Sequence, residues 1–92
     1  MSLPTHLDLE IVTPDRAVVH EEVDEVQLPG SEGNLGILPG HTPILCVLGE
    51  GEVRVNADGA WRSAQIDGGF LSVDHDRVTI VAESVDASGM GS

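Results

Sequence analysis

Hydrophobic and polar residues alternate with a period of two along most of the chain. In the first run, Leu7, Leu9 and Ile11 alternate with Asp8 and Glu10. Such alternation is typical of strands with one buried and one wetter face. No segment shows convincing helical periodicity with caps over ten residues. The pattern predicts eight strands, over residues 7–12, 17–20, 23–28, 35–38, 44–48, 52–56, 61–67 with its continuation 70–73, and 77–83.

Turn-forming residues separate these runs at intervals of about ten residues, as an all-β domain requires. Asn56-Ala57-Asp58-Gly59 predicts a hairpin tip, since glycine can adopt a positive φ. Thr13-Pro14-Asp15-Arg16 and Asp74-His75-Asp76 predict further turns. Gly68-Gly69 interrupts strand character and indicates a bulge or a close approach of two backbones.

The strand and turn pattern predicts an all-β fold, a compact antiparallel two-sheet β-sandwich or flattened barrel. A chain of 92 residues suffices for one domain, which we place at residues 1–86, with a flexible tail at 87–92. Trp61 and Phe70 are the only aromatic residues, so the core is expected to be aliphatic. Cys46 is the only cysteine, which excludes an internal disulfide, and is expected to be a small buried hydrophobe.

Glycine and proline are concentrated between Gly30 and Pro43, where four glycines and two prolines occupy 14 positions around a short apolar strand. Glycine opens backbone angles closed to other residues, and proline fixes its own φ. This segment is therefore expected to be a shaped surface loop. Loops held on a rigid scaffold are common sites of function.

The charge of the chain narrows its range of partners. The chain has sixteen acidic residues, four arginines and no lysine, which gives a net charge of -12. This disfavours nucleic acid and anionic membrane surfaces, and it suits a basic protein partner or simple solubility as a monomer. Lysine-dependent chemistry is excluded. Because no apolar run reaches 18 residues and no signal-peptide pattern is present, we expect a soluble chain in a reducing compartment, without direct membrane insertion.

No spacing of reactive side chains predicts catalysis, a metal site or a cofactor site. The histidines are scattered, the glycines match no nucleotide-binding loop, and no serine lies in a nucleophile elbow. The acids at positions 21, 22, 24 and 25 are expected to form a solvated strand edge that blocks unwanted pairing. His41 has two interpretations: a turn residue that bonds nearby backbone, or a contact residue at a protein interface.

Four blocks of sequence resemble the amino-terminal domain of the epsilon subunit of F-type ATP synthases, which is called delta in mitochondria. The resemblance spans about residues 6–86, and its central block is long and specific. In order, the blocks are Leu9-Glu10-Ile11-Val12-Thr13-Pro14, then Glu22-Val23-Asp24-Glu25-Val26-Gln27-Leu28-Pro29-Gly30 running into Ser31-Glu32-Gly33-Asn34-Leu35-Gly36-Ile37-Leu38-Pro39-Gly40-His41-Thr42-Pro43, then Gly68-Gly69-Phe70-Leu71-Ser72-Val73, and Val78-Thr79-Ile80-Val81-Ala82-Glu83.

The resemblance implies a non-catalytic β-sandwich subunit of the rotor. Such a subunit docks on gamma and on the ring of c subunits, in a central stalk that turns as protons or sodium ions cross the membrane. It would lie peripheral to the bacterial inner (plasma) membrane, on the cytoplasmic side. By position, the resemblance implies ring contacts at Ser31, Glu32, Asn34 and His41, and a gamma contact at Thr13. Family members often carry an acid at the position of Asn34.

The chain departs from the family pattern after residue 86, where the family usually continues into a pair of helices. That hairpin binds ATP in some bacterial members and can inhibit hydrolysis, so neither property is expected of these 92 residues. Two other functions stay open at this point. One is a free-standing acidic β-sandwich that binds a small ligand or a regulatory protein, and the other is a small hydrolase that uses unpaired acids.

Overall fold

The computed structural model describes residues 6–90. Over this range the chain forms ten strands and one short 3-10 helix. The prediction of eight strands is wrong in number, because residues 61–67 and 70–73 belong to two separate strands and Val85–Asp86 forms a further one. In chain order the elements are β1 (Leu7–Val12), β2 (Ala17–Val23), β3 (Glu25–Gly30), β4 (Gly33–Ile37), β5 (Ile44–Leu48), β6 (Gly51–Ala57), β7 (Ala60–Ile66), β8 (Gly69–Asp74), β9 (Arg77–Val81), β10 (Val85–Asp86) and the 3-10 helix Ser88–Met90.

The strands form one continuous sheet that folds over itself into two layers. The order is β10-β7-β6-β3-β5-β8-β9-β1-β2, with β4 paired to the other side of β3. Strands β3 and β5 pair at a single position, Gly30 with Leu48. This position divides the sheet into a first layer of β4, β3, β6, β7 and β10 and a second layer of β5, β8, β9, β1 and β2. The predicted all-β sandwich or flattened barrel is confirmed.

One pairing departs from the antiparallel pattern. Strands β1 and β9 run parallel, with Leu9 opposite Val78 and Ile11 opposite Ile80. The hairpin with β2 already occupies the other side of β1. The second neighbour of β1 is β9, which follows much later in the chain. No tight turn joins β1 to β9, so the direction of β9 is not restricted to antiparallel. The remaining strand pairs are antiparallel among the described residues.

The core is aliphatic, as the composition predicts. Alternate side chains of both layers point inward, and Trp61 and Phe70 lie outside at 41% and 57% exposure. Cys46 is half-buried against the core and not fully buried as expected. The largest fully buried side chains are Leu7, Leu9, Ile11, Leu28, Ile37, Leu71, Ile80, Val23, Val26, Val53, Val55 and Val73.

The glycine-rich segment is only partly a loop. The expectation of a single loop from Gly30 to Pro43 is wrong, because β3 continues to Gly30 and β4 begins at Gly33. The two strands pair along their whole length and form a tight hairpin. A Cβ on Gly30 would lie 2.4 Å from the carbonyl oxygen of Gly33, so the absence of a side chain permits the turn. The loop proper is the connection between Ile37 and Ile44.

The two predicted hairpin tips and the predicted close approach are confirmed. Asp58 and Gly59 have φ values of 54° and 82°, and His75 and Asp76 have 50° and 61°, which match the primed turns that join twisted strands. At Gly69 the backbone of β8 lies against β9, where a Cβ would be 1.9 Å from the Val81 carbonyl oxygen. Glycine therefore brings two main chains into contact at this position.

The segment expected to be a flexible tail, residues 87–92, includes Ser88–Met90. These residues form the 3-10 helix, and the Met90 side chain is 7% exposed. Arg62 of β7 donates to the Met90 carbonyl oxygen at 3.2 Å and to Glu21 Oε1 of β2 at 2.5 Å. Arg62 thus links the two layers opposite the Gly30–Leu48 pair. Residues 91 and 92 lie outside the described residues.

Candidate protein-interaction surface

The outer face of the second layer exposes a group of large apolar side chains. Val47 of β5 lies opposite Phe70 of β8, and Phe70 lies opposite Val81 of β9. Their exposures are 54%, 57% and 40%, and that of neighbouring Leu45 is 77%. We call Leu45, Val47, Phe70 and Val81 the apolar patch. Val12 of β1 continues the row beside Val81.

The patch arises from unbroken apolar runs in the sequence. In Ile44–Leu48 the alternate residues 44, 46 and 48 turn toward the core, which leaves Leu45 and Val47 outside. Strand side chains alternate between faces, so an uninterrupted run means that both faces are apolar. Alternation of apolar and polar residues does not indicate the patch, because Leu45 and Val47 lie on a strand that is apolar on both faces. The uninterrupted run Ile44-Leu45-Cys46-Val47-Leu48 is the signal that could have revealed it.

An open groove of about 210 Å³ borders the patch. Its lining includes Gly68 and Gly69, which have no side chains, and Phe70 and Val81 of the patch. Such a groove can receive a large side chain of a protein partner, the arrangement in which interface anchors are found. The remaining lining residues are Pro14, Asp67, Ala82 and Glu83.

The other half of the same face is charged and mostly acidic. His20 lies 3.1 Å from the carboxylate of Asp8, and His75 lies 2.8 Å from that of Asp74. Both pairs are exposed, so their contribution to stability is small. The face thus divides into an apolar half and an acidic half. Apolar area surrounded by polar residues is the usual composition of a protein interface.

The three predicted contact residues in the hairpin lie together. Ser31 and Glu32 form the tip between β3 and β4, and Asn34 follows within β4. All three are exposed. A second open groove of about 220 Å³ lies between this tip and β5, and Ile44, Cys46 and Val47 line its β5 side. We call it the hairpin groove.

His41 lies in the separate loop between β4 and β5. Its Nδ1 is 2.6 Å from the Thr42 carbonyl oxygen, and its backbone N–H donates to the Leu38 carbonyl oxygen at 3.1 Å. The neighbouring Gly40 N–H donates to Asp76 Oδ1 at 2.7 Å, which ties the loop to the β8–β9 turn. The interpretation of His41 as a turn residue therefore has direct support, and its half-buried ring still reaches the surface.

Thr13 shapes the turn between β1 and β2. Its Oγ1 donates to the Arg16 carbonyl oxygen and accepts from the Asp15 N–H, both at 3.4 Å. The next residue, Pro14, lines the groove beside the apolar patch. Thr13 and the patch are thus close neighbours in the fold, which the sequence did not indicate.

Candidate chemistry is sparse over residues 6–90. No group of three or more His, Cys, Asp or Glu side chains is arranged to hold a metal ion in this range. None of the side chains described there is a buried polar group lacking a hydrogen bond. The same residues contain no helix of the length and hydropathy needed to cross a bilayer. What the described surface offers is shape and apolar area.

Among the described residues, Asp86 has a pKa that clearly departs from its usual value. The Ser88 backbone N–H donates to its Oδ1 at 3.0 Å, and a further hydrogen bond comes from the Ser88 side chain. These bonds favour the carboxylate and lower the pKa of Asp86 below its usual value of 3.8. The carboxylate therefore caps the 3-10 helix at neutral pH.

The hydrogen bond between Asp86 and Ser88 should weaken in acid. A depressed pKa in the folded state means that its stabilisation is fully present above about pH 3.8 and is lost as pH falls through the folded value. We expect the Ser88 amide resonance to titrate with a midpoint below 3.8 in NMR spectra. The Asp86→Asn variant is the control. If its Ser88 amide titrates in the same way, the carboxylate is not responsible.

Comparison with known proteins places this chain in one family. The family model for the delta/epsilon chain β-sandwich domain of ATP synthase matches residues 6–87. Among curated relatives, the ATP synthase epsilon chain of Synechococcus sp. strain WH7803 is 46% identical over 80 residues, which cover 87% of this chain and 59% of the relative. The ATP synthase epsilon chain of Solibacter usitatus is 44% identical over 88% of this chain and 60% of the relative. The ATP synthase epsilon chain of Micrococcus luteus is 51% identical over 85% of this chain and 87% of the relative.

Solved structures agree in fold. The Euglena gracilis mitochondrial ATP synthase, a cryo-EM structure of OSCP, F1 and c-ring, contains a chain with a TM-score of 0.85 and 25% identity, covering 92% of this chain and 55% of that one. A chain in the cryo-EM structure of the Tetrahymena thermophila mitochondrial ATP synthase central stalk and c-ring has a TM-score of 0.74 and 14% sequence identity. The match covers 91% of this chain and 68% of that one, and at this identity it supports the fold alone. The chain spans about 60% of the length of the Synechococcus and Solibacter relatives. It belongs to the delta/epsilon chain family of ATP synthases, of which residues 6–87 form the β-sandwich domain.

Proposed function

We propose that this chain is a non-catalytic central-stalk subunit of an F-type ATP synthase. It docks on gamma and on the c-ring, and so couples the passage of protons or sodium ions to ATP synthesis. In this role it lies peripheral to the bacterial inner (plasma) membrane, on the cytoplasmic side. Family membership supports the assignment. The observation that carries the docking role is the apolar patch, four large side chains between 40% and 77% exposed on one face.

The patch favours a protein partner over a small ligand. Contiguous exposed apolar area on a small soluble domain usually marks a surface that a partner covers. Small-molecule sites are instead concave and enclose most of their ligand. The groove beside Phe70 and the hairpin groove are both open to solvent and would not enclose a small ligand. A free-standing ligand-binding sandwich therefore has less support than a docking subunit.

The residues predicted to contact the c-ring and the residue predicted to contact gamma lie on different parts of the surface. We assign the apolar patch and its groove to gamma, since Pro14, the neighbour of the candidate contact Thr13, lines that groove. We assign the exposed hairpin tip, with Ser31, Glu32 and Asn34, to the c-ring. We also assign His41, in the separate loop between β4 and β5, to the c-ring.

A reconstitution experiment tests the function. The chain is mixed with the purified gamma subunit of the same organism at micromolar concentration and separated by gel filtration. We expect a stable complex with one copy of each chain. If the chain is folded by circular dichroism and still elutes alone, docking on gamma is wrong, and the free-standing sandwich becomes the better hypothesis.

The role of His41 can be separated from its role in the loop. We expect His41→Ala to weaken assembly onto a gamma–c-ring complex by roughly tenfold, an interface residue's typical cost, while the melting temperature falls by only a few degrees. Binding is measured by pull-down on immobilised gamma–c-ring complex. A large loss of melting temperature with normal assembly would show that His41 serves the loop alone.

A further inference from the structure

Strand β5 is an unprotected edge of the second layer. Over Ile44–Val47 it pairs with β8, and the described chain supplies no strand on the other side until Leu48 meets Gly30. Half of the main-chain N–H and C=O groups in this stretch therefore face outward without a pairing strand. Such groups are a template for an additional strand.

The other long edge of this layer is protected in a way that β5 is not. Edge strand β2 carries His20, Glu21 and Glu22, and charges on an edge discourage unwanted pairing. Strand β5 contains no charged residue, and its outward side chains Leu45 and Val47 are among the most exposed large apolar groups. An edge left uncharged and apolar is best explained by pairing with a partner.

The edges of the first layer differ from β5 in other ways. Strand β10 has only two residues, which is too short to serve as a template. Strand β4 also lacks charge, but its two large apolar side chains are held inward, with Leu35 half-buried and Ile37 buried. Strand β7 is also unpaired on one side over Ala60–Ala64 and exposes Trp61, but it carries the charged Arg62, and Gly89 of the 3-10 helix packs against Ser63. Strand β5 has neither form of protection.

An open groove lies along this edge. The hairpin groove separates the tip at Gly30–Leu35 from Ile44, Cys46 and Val47 of β5. The outward side chains of β5 belong to the apolar patch, so a strand added to the edge would extend the same surface. The edge is therefore continuous with the docking face already assigned to gamma.

We propose that an extended segment of the gamma subunit pairs with the free edge of β5 and adds a strand to the second layer. This inference rests on the proposed function and specifies how the partner is held. The segment would carry apolar side chains over Leu45 and Val47 and would be neutral or basic, because the chain has a net charge of -12. The same charge disfavours a second copy of this chain as the occupant. Main-chain hydrogen bonds would fix the register of the two subunits, which apolar contact alone does not.

Amide exchange distinguishes strand addition from side-chain docking. Successive N–H groups of a strand point to opposite sides, so of Leu45 and Cys46 one faces β8 and the other faces the free edge. We expect the edge-facing amides to exchange rapidly in the isolated chain and at least about 100-fold more slowly in the gamma complex. Exchange is quenched, the complex is dissociated, and single amides are read by NMR. A stable complex whose edge-facing amides still exchange freely would overturn the inference and leave the proposed function intact.

Proline substitution tests the same hydrogen bond by affinity. Leu45→Pro and Cys46→Pro are compared with Leu45→Ala and Cys46→Ala, which retain the N–H. The proline that removes only an edge-facing N–H should leave the domain folded, since edge strands tolerate it. We expect that variant to bind gamma at least about tenfold more weakly than its alanine control, as the loss of a main-chain hydrogen bond implies. Equal affinity of a folded proline variant and its control would contradict strand addition, and if neither proline variant folds, amide exchange decides.

Sedimentation equilibrium of the isolated chain distinguishes the alternative occupant. A monomer at micromolar concentration is expected. A dimer with protected β5 amides would show that a second copy occupies the edge and would overturn the assignment to gamma. Failure of the wild-type chain to bind gamma at all would overturn this inference together with the proposed function, an outcome distinct from both results above.

Discussion

Replacing Gly69 with alanine should remove about 3 kcal/mol or more of folding stability, a large share of the total for a small domain. An added Cβ would lie 1.9 Å from the Val81 carbonyl oxygen, and 3.1 Å from the Ala82 Cα. These are main-chain atoms of the adjacent strand, so no rotamer change relieves the clash. The φ of 141° adds strain for any residue with a side chain. Urea unfolding followed by the fluorescence of Trp61 measures the loss.

Gly36→Ala is the matched control, because a Cβ at that position meets no heavy atom within 4 Å. We expect its stability to stay within about 0.5 kcal/mol of the wild type, as for most surface changes. If the two alanine variants unfold at the same urea concentration, the close contact between β8 and β9 is wrong.

Replacing Phe70 with aspartate should weaken binding to gamma by about 30-fold or more, the effect of losing an interface anchor. Phe70 lies between Val47 and Val81 in the patch, and the change places a charge in the area that docking would dehydrate. The side chain is already 57% exposed in the isolated domain, so folding should suffer far less than binding. Isothermal titration calorimetry with purified gamma measures the affinity.

Trp61→Asp provides the control for Phe70→Asp. Trp61 is an exposed aromatic residue of a strand in the first layer, with the Arg54 guanidinium 4.8 Å from its ring centre. Both variants place aspartate in a strand and carry the same intrinsic cost. We expect Trp61→Asp to bind gamma within about threefold of the wild type, as residues outside the contact area do. Equal losses from the two variants would show that the apolar patch is not the specific docking surface.

Most of the fold could be predicted from local sequence signals. Alternation located the strands, and the pairs Asp58-Gly59 and His75-Asp76 located two hairpin tips, because both signals depend on a few neighbouring residues. The parallel pairing of β1 with β9 could not be obtained in this way, since it depends on which strands meet after the whole chain has folded. The burial of Met90 could not be predicted from local sequence either. The small residues Ala87, Ser88 and Gly89 that precede it give no sign that the Met90 side chain enters the core.

The candidate surface was only half predicted. The family resemblance supplied Ser31, Glu32 and Asn34 as candidate contacts by position, and all three are exposed at the hairpin. Leu45 and Val47 were not predicted, because an apolar run reads as core when no structure shows which face is covered. The free edge of β5 is further from sequence, since an unpaired side is a property of the topology and not of the strand's own residues.

The hydrogen bonds between the layers are few compared with those within each layer, which affects how the domain would respond to mechanical load. On one side a single strand pair, Gly30 with Leu48, joins the layers, and on the other Arg62 bridges Glu21 and the Met90 carbonyl oxygen. Within each layer, long ladders of parallel-acting hydrogen bonds resist shear together. A pulling force across the layers would instead act on these few hydrogen bonds and on the aliphatic core between the layers. The domain is thus mechanically anisotropic, and an optical-trap measurement that pulls across the layers should find a lower rupture force than one that pulls along the strands.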